Sequence, residues 1–212
     1  MPVKSEREYR KAGAFEARDA EEQEKSYIVE GYATTFNDPY VLFDDGETVI
    51  YEQIDAHAFD NAEMDDVIMQ FDHEGRVFAR KSNGSLELNC DEHGLHVRAD
   101  LSATEGSREL YEEIRTGLIR EMSFAFTVSA EEYNKNTRTR TITGIKRLYD
   151  VSAVSIPQNP ATNISARTFA DGVIRQEEAE RLQKAAEETE IRRMRLRVML
   201  QLNDGGKENG TV

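Results

Sequence analysis

Arg120-Glu121-Met122-Ser123-Phe124-Ala125-Phe126-Thr127-Val128 is the stretch from which the rest of the chain can be read. Met122, Phe124, Phe126 and Val128 fall on one side and Ser123, Ala125 and Thr127 on the other. That period-two alternation is a strand with one apolar face. Ser123 stands on the second face between small neighbours that leave room for a substrate. A serine inside a strand is ordinarily structural. This one gains interest from His73 on an earlier strand and Asp150 on a later one.

Downstream, Asn134-Lys135-Asn136 is turn chemistry, and Arg138 to Thr143 and Ile145 to Ile156 read as strands. On the last, Tyr149, Val151 and Ala153 alternate with Asp150, Ser152, Val154 and Ile156. A carboxylate in an apolar strand needs a partner, and an ion pair with Arg147 or Arg120 is the structural option. Pro157-Gln158-Asn159-Pro160-Ala161 ends the sheet. Upstream, Thr104 caps a helix reaching Leu118, with Leu110, Ile114 and Leu118 as its core stripe and Gly117 near its end. Gly84 to Leu101 is a hairpin turning at Asp91-Glu92-His93-Gly94, with Cys90 as a small buried filler.

Asp66 to His73 is apolar at most positions, an interior strand, with His73 at its end before the polar Glu74-Gly75-Arg76 turn. Asp55 caps a short helix. Before it come a strand from Thr48 to Ile54 and a loop bracketed by Asn37-Asp38-Pro39 and Asp44-Asp45-Gly46. The first strand covers Tyr27 to Thr34, where Gly31 marks a bulge or a close approach.

The ends differ in character. Residues 1–25 form a charged tail without a sustained apolar period, exemplified by Glu21-Glu22-Gln23-Glu24-Lys25. From about Val173 to Leu202, acidic and basic blocks alternate around a thin apolar stripe of Leu182, Ala186, Ile191, Met194 and Val198. This is a long charged helix ending at Gly205-Gly206, suited to self-association or partner packing. The expected organisation is a tail over 1–25, a folded domain over 26–169 and a helical tail over 170–212. Its fold class is α+β, mainly antiparallel.

The 212 residues carry a net charge of −14 and one cysteine, with a mean hydropathy of −0.68. The acidic balance disfavours nucleic acid, whose phosphates demand Lys and Arg. No apolar run approaches the roughly 20 residues needed to span a bilayer, so no membrane is expected as partner. A single cysteine excludes an internal disulfide and a multi-cysteine zinc site, and a reducing, cytoplasm-like compartment fits.

Three polar residues occur where strands are otherwise apolar: His73, Ser123 and Asp150. A serine hydroxyl needs a base to take its proton, histidine can take and return it, and a buried carboxylate can fix the imidazole. The chain lacks the Gly-x-Ser-x-Gly elbow of an α/β-hydrolase. A metal-dependent hydrolase built on His93, His96, Asp91 and Glu92 is a weaker alternative, because the hairpin turn accounts for those residues.

Gly31-Tyr32-Ala33, His57-Ala58-Phe59, Val67 to His73, Gly94-Leu95, Met122 to Phe126, Asp150 to Val154 and Pro157 to Pro160 follow one another at spacings that resemble the prohead proteases of tailed phages. The resemblance covers roughly Tyr27 to Ala166, and it extends to the herpesvirus assemblins. It implies a compact β-barrel with flanking helices and a serine endopeptidase with Ser123 as nucleophile and His73 as general base. Asp150 takes the position where assemblins carry a second histidine, and it is expected to orient His73. The sequence departs from the family at Ala125, commonly glycine, and in having Asp150 rather than the more frequent glutamate. The oxyanion hole is expected from backbone amides near the turn after Ile156.

The same resemblance implies substrates: scaffold segments or the scaffold-like region of the major capsid protein, and eventually the chain itself. The setting is the assembling procapsid in the host cytoplasm, with the region after about Ala170 trimmed. It raises a homodimer, and it calls for no metal and no cofactor. The rival class is an inert assembly module that binds capsid protein through its C-terminal helix.

Overall fold

The computed structural model describes residues 7–17, 26–155 and 164–205. The chain divides into two units, residues 1–167 and 168–212. Most of the first is strand. In order these are β1 (Glu8–Ala14), β2 (Glu16–Ala17), β3 (Ile28–Thr35), β4 (Tyr40–Asp44), β5 (Val49–Ile54) and β6 (Ile68–Phe71). There follow β7 (Glu74–Arg80), β8 (Leu86–Cys90), β9 (Gly94–Asp100), helix α1 (Glu105–Arg115), β10 (Glu121–Asn134) and β11 (Thr139–Val154).

The Ser123 stretch opens β10, which with β11 makes a long antiparallel hairpin. Asn134 closes the turn, its side-chain oxygen accepting from the Asn136 amide at 2.9 Å. The two strands expected around Gly144 are one continuous strand. Gly144 is there for space: a Cβ would come within 2.6 Å of Ser129 Oγ, where β10 bulges against β11. β11 pairs parallel with β5 through Thr139–Ile142 and with β6 through Asp150–Ala153. The resulting seven-stranded sheet runs β1-β10-β11-β5-β4, with β6 and β7 attached beside β11.

A second sheet of four strands runs β2-β3-β9-β8. Apolar side chains of both sheets and of α1 share one core, among them Val29, Val97, Phe124, Val151 and Ile114. The α+β class and the mainly antiparallel pairing hold. The barrel does not, since neither sheet closes on itself.

Several elements depart from the sequence reading for local reasons. Residues 8–14 and 16–17 lie in strands rather than a solvated tail, because Glu8 and Arg10 are buried against charged partners from elsewhere in the chain. Tyr40–Asp44 pairs with β5 where a loop was expected. Residues after Asp55 form successive tight turns in place of a helix, although Asp55 still accepts from the His57 amide at 2.8 Å. Thr104 caps α1 as expected, accepting from the Ser107 amide at 3.1 Å. Gly117 at φ +73° ends that helix, so Leu118 leaves the stripe and is 73% exposed. Tyr111 joins Leu110 and Ile114 in the core instead.

Gly31 is a close approach, since a Cβ there would sit 2.5 Å from the Ala14 carbonyl oxygen. Cys90, expected as buried filler, is exposed at the end of edge strand β8. Helix α2 (Ile164–Gly205) starts earlier than the periodicity suggested and ends as Gly205-Gly206 implied. The run Glu21–Lys25 and the turn Pro157–Ala161 lie outside the described residues.

Candidate active site

His73 is carried by the turn between β6 and β7, not by a strand end. Asp72 and His73 form a two-residue hairpin loop with both φ values positive, 49° and 61°. Such a loop matches the twist of its strands but favours Asn-Gly, and each non-glycine residue held there costs on the order of 1 kcal/mol. The surroundings compensate. The Asp72 amide donates to the Ala153 carbonyl at 2.9 Å, and its carboxylate accepts from the Ser155 amide and hydroxyl, both at 2.9 Å. The turn is thereby fastened to the end of β11.

Parallel pairing of β6 with β11 brings that turn over the face carrying Asp150 and Ser152, and β10 presents Ser123 opposite Ser152. His73 Nδ1 lies 2.5 Å from Asp150 Oδ1, and His73 Nε2 lies 2.8 Å from Ser123 Oγ. The three predicted residues therefore meet in one hydrogen-bond chain, from three separate segments. The shorter aspartate reaches the ring without a glutamate's extra methylene. The partners of Asp150 are His73 and Ser152 rather than Arg147 or Arg120, the two arginines suggested by sequence; Arg147 pairs with Glu63 at 3.5 Å.

Ser152 donates to Asp150 Oδ1 at 2.8 Å, a contact the sequence reading missed. Its spacing of two from Asp150 on a strand was signal enough to find it. Chemically, the arrangement couples a hydroxyl to a base and the base to a fixed acceptor, which is the requirement of a serine nucleophile.

The site is covered. Ser123 is fully buried, and the Arg10 carbonyl oxygen of β1, 2.9 Å from its hydroxyl, is a second acceptor that competes with His73 for its one proton. Tyr9 packs edge-on against the His73 ring with centroids 4.7 Å apart. Ala125, the other sequence departure, is buried opposite Tyr9 on one side and Asp150 on the other.

Next to it lies a buried ionic cluster. Arg10 binds Glu8 and Glu52; Arg140 binds Glu8 at 2.9 Å, Glu52 at 2.7 Å and also Glu131; Tyr40 donates to Glu52 at 2.5 Å. Burial alone would raise the Glu8 carboxyl, but the Arg140 hydrogen bond and the charges of Arg10 and Arg140 outweigh it and hold it at about 2. Burial likewise opposes ionisation of Glu52, and the same two guanidiniums bring its pKa down. Burial, then the Glu52 carboxylate, pushes the Tyr40 phenol well up and keeps it a donor.

The other candidates resolve differently. His93 and His96 flank the Tyr32 ring, with centroids 4.5 and 5.1 Å away, while Asp91 accepts from the Tyr32 hydroxyl and from the His93 and Gly94 amides of its own turn. Among the described residues no three His, Cys, Asp or Glu side chains are grouped to hold a metal. Partial burial, then Asp60 and Asp91, raises the Cys90 thiol, which makes it a poorer nucleophile. The amides expected to form the oxyanion hole, after Ile156, lie outside the described residues.

No curated protein and no solved structure matches the chain. A family model, described as caudovirus prohead serine protease, matches residues 14–174. That span takes in β3 to β11 and all three members of the hydrogen-bond chain. The chain belongs to the caudovirus prohead serine protease family.

Proposed function

We propose that this chain is a serine endopeptidase in which Ser123 is the nucleophile, His73 the general base and acid, and Asp150 the group that orients His73. The family supports a serine peptidase of capsid maturation. The observation that carries the residue assignment is the continuous chain from Asp150 through His73 to Ser123, at 2.5 and 2.8 Å.

In this reading Ser123 Oγ attacks the carbonyl carbon of the scissile peptide while its proton passes to His73 Nε2. Asp150 holds Nδ1–H and stabilises the imidazolium. The tetrahedral intermediate collapses, the C–N bond breaks, and His73 gives the proton to the leaving amine. Water then enters, His73 takes one of its protons, and hydrolysis of the ester frees the acid and Ser123. Amides in the turn after Ile156 remain our choice for the oxyanion hole. No metal or cofactor takes part.

The substrates in this proposal are scaffold segments or the scaffold-like region of the major capsid protein, and the chain itself, inside the assembling procapsid. A net charge of −14 supports protein over nucleic acid as partner. Among the described residues no helix is long and apolar enough to cross a membrane. We retain a C-terminal appendage over 170–212 beside the protease domain, to which β1 and β2 belong, the kinship with assemblins, and a homodimer as part of the proposal.

The test is intact mass after co-expression with the capsid protein, wild type beside Ser123→Ala. Cleavage of capsid protein or of the chain by the wild type alone supports the proposal, and identical products from both chains overturn it. One observation favours the assembly-module rival: Leu182, Ile191, Met194 and Leu196 on α2 are at least half exposed, as a partner-binding helix would leave them. Under that rival Ser123→Ala changes nothing.

A further inference from the structure

Strand β1 does more at this site than complete a sheet. Its Arg10 carbonyl oxygen is in hydrogen-bond contact with the Ser123 hydroxyl, and the Arg10 side chain enters the buried cluster of Glu52, Arg140 and Tyr40. Tyr9, the preceding residue, packs against His73, and Glu8 shares the Arg10 face and meets Arg140. Pairing with β10 is regular from Glu8 to Lys11 and then shifts. From Lys11 on, Lys11 and Gly13 line a groove of about 730 Å³ with Glu30, Tyr32 and Thr34. The groove includes none of Ser123, His73 or Asp150. The family match begins at residue 14, so the residues over Ser123 precede it.

We propose that β1 sits in the substrate cleft, and that the cleft takes an extended segment of the pattern acidic–any–arginine, cut after the arginine, with Glu52 and Arg140 as specificity-determining residues. This rests on the Ser123–His73–Asp150 reading above. Without β1, strand β10 is a free sheet edge, and an extended peptide completes such an edge by main-chain pairing while alternate side chains fill pockets. The pocket would then hold Glu52 and Glu131 against Arg140 alone, one negative charge in excess. An incoming guanidinium takes the place of Arg10 on Glu52 with a fork that matches a carboxylate. An acidic residue two positions earlier falls on the same face and meets Arg140, as Glu8 does.

The resident strand is held unproductively. Ser123 has one hydroxyl proton, and while it is directed at the Arg10 oxygen it is not given to His73. β1 therefore keeps the site at rest until it is displaced.

The experiment uses full-length wild type, Arg10→Ala and Arg10→Ala/Glu52→Gln. The substrates are acetyl-Glu-Tyr-Arg- and acetyl-Glu-Tyr-Leu-aminomethylcoumarin. Loss of the Arg10 anchor is expected to raise kcat/KM on the arginine substrate at least tenfold over wild type. That chain should prefer arginine to leucine by about a hundredfold or more, since the leucine substrate leaves buried Glu52 without the second guanidinium that Arg10 supplies in the resident strand. Adding Glu52→Gln should cut the preference below tenfold. Should Arg10→Ala fail to fold, wild type with millimolar substrate serves instead: a tethered strand competes at an effective concentration of about a millimolar, so the same preference is expected at a higher KM. Equal rates on the two substrates overturn the proposal.

Fluorescence anisotropy of labelled Glu-Tyr-Arg-Lys peptide on Ser123→Ala/Arg10→Ala separates this from the catalytic reading. Arginine-selective binding with no hydrolysis by any chain removes the triad and keeps the cleft. Hydrolysis without arginine preference removes the cleft and keeps the triad. Neither binding nor hydrolysis with arginine preference overturns the cleft.

Discussion

At the scale of single residues, the side chains with the most direct roles are those that occupy an unexpected place in an expected pattern. Ser123 and Asp150 were legible as polar residues on strands rich in apolar ones, and His73 because it follows a buried run. Ser152 was overlooked because the alternation places it on the face of Asp150 without showing that its hydroxyl turns toward that carboxylate. Its hydrogen bond leaves Asp150 with two donors, the His73 ring and a hydroxyl. Asp150→Asn removes the acceptor that sets the ring's tautomer, and kcat is expected to fall by about 10³–10⁴. Ser152→Ala removes one charge-assisted hydrogen bond, and about tenfold is expected. Single-turnover kinetics on one substrate checks both, and equal losses for the two variants would contradict the assignment of roles. Arg10, Glu52 and Arg140 were illegible as a group. Residues 42 and 88 positions apart announce no ion pair until the sheet brings them together.

At the scale of elements, β1 and the Asp72–His73 turn show where periodicity fails. β1 buries charge rather than apolar surface, so its pattern is that of a solvated tail. The turn has no glycine at either left-handed position, so its sequence reads as a strand running on. That turn is held by the Asp72–Ser155 clamp. Asp72→Ala frees it, and kcat is expected to fall about 10²-fold with KM little changed, because a displaced His73 misaligns proton transfer without touching substrate. Asp72→Asn keeps one acceptor and should recover part of the loss; a change in KM alone would contradict a positioning role.

β1 also has a pH dependence. Glu8 titrates at about 2 in the fold against an ordinary 4.5, surrounded by Arg10, Arg140, Glu52, Glu131 and Tyr40. A depressed folded value stabilises above the unfolded one and is lost as pH falls through the folded one. The shift is worth on the order of 3 kcal/mol at neutral pH, disappearing between about pH 4.5 and 2. Urea unfolding of wild type and Glu8→Gln should show a gap that closes over that window. A gap constant from pH 7 to 2.5 would mean that the guanidiniums do not hold Glu8 ionised.

At the scale of the whole molecule, the charged C-terminal helix was legible from alternating blocks of sign, and the open two-sheet core was not. Barrel closure depends on how strands pair across the chain, which local alternation does not encode. Helix α2 runs 42 residues, about 60 Å, and its described side chains from Leu182 to Leu200 are exposed. A helix held by few tertiary contacts opens locally and is where proteolysis concentrates. The segment seated on Ser123 is Glu8-Tyr9-Arg10-Lys11, and the pattern acidic–apolar–arginine–basic recurs on α2 as Glu190-Ile191-Arg192-Arg193. Glu190 to Arg193 are exposed, so unwinding about two turns would supply the extended segment the cleft takes, exchanging about seven intrahelical hydrogen bonds for bonds to water and to β10. Self-processing is therefore expected between Arg192 and Arg193, within the region expected to be trimmed. Intact mass of the Arg10→Ala chain after incubation should show a species ending at Arg192. The same chain with Ser123→Ala should stay whole, and Arg192→Leu should block that cut while leaving hydrolysis of the arginine coumarin substrate intact. Trimming elsewhere on α2 with Arg192 uncut would separate self-processing from the cleft's preference, and trimming that survives Ser123→Ala would assign it to another protease.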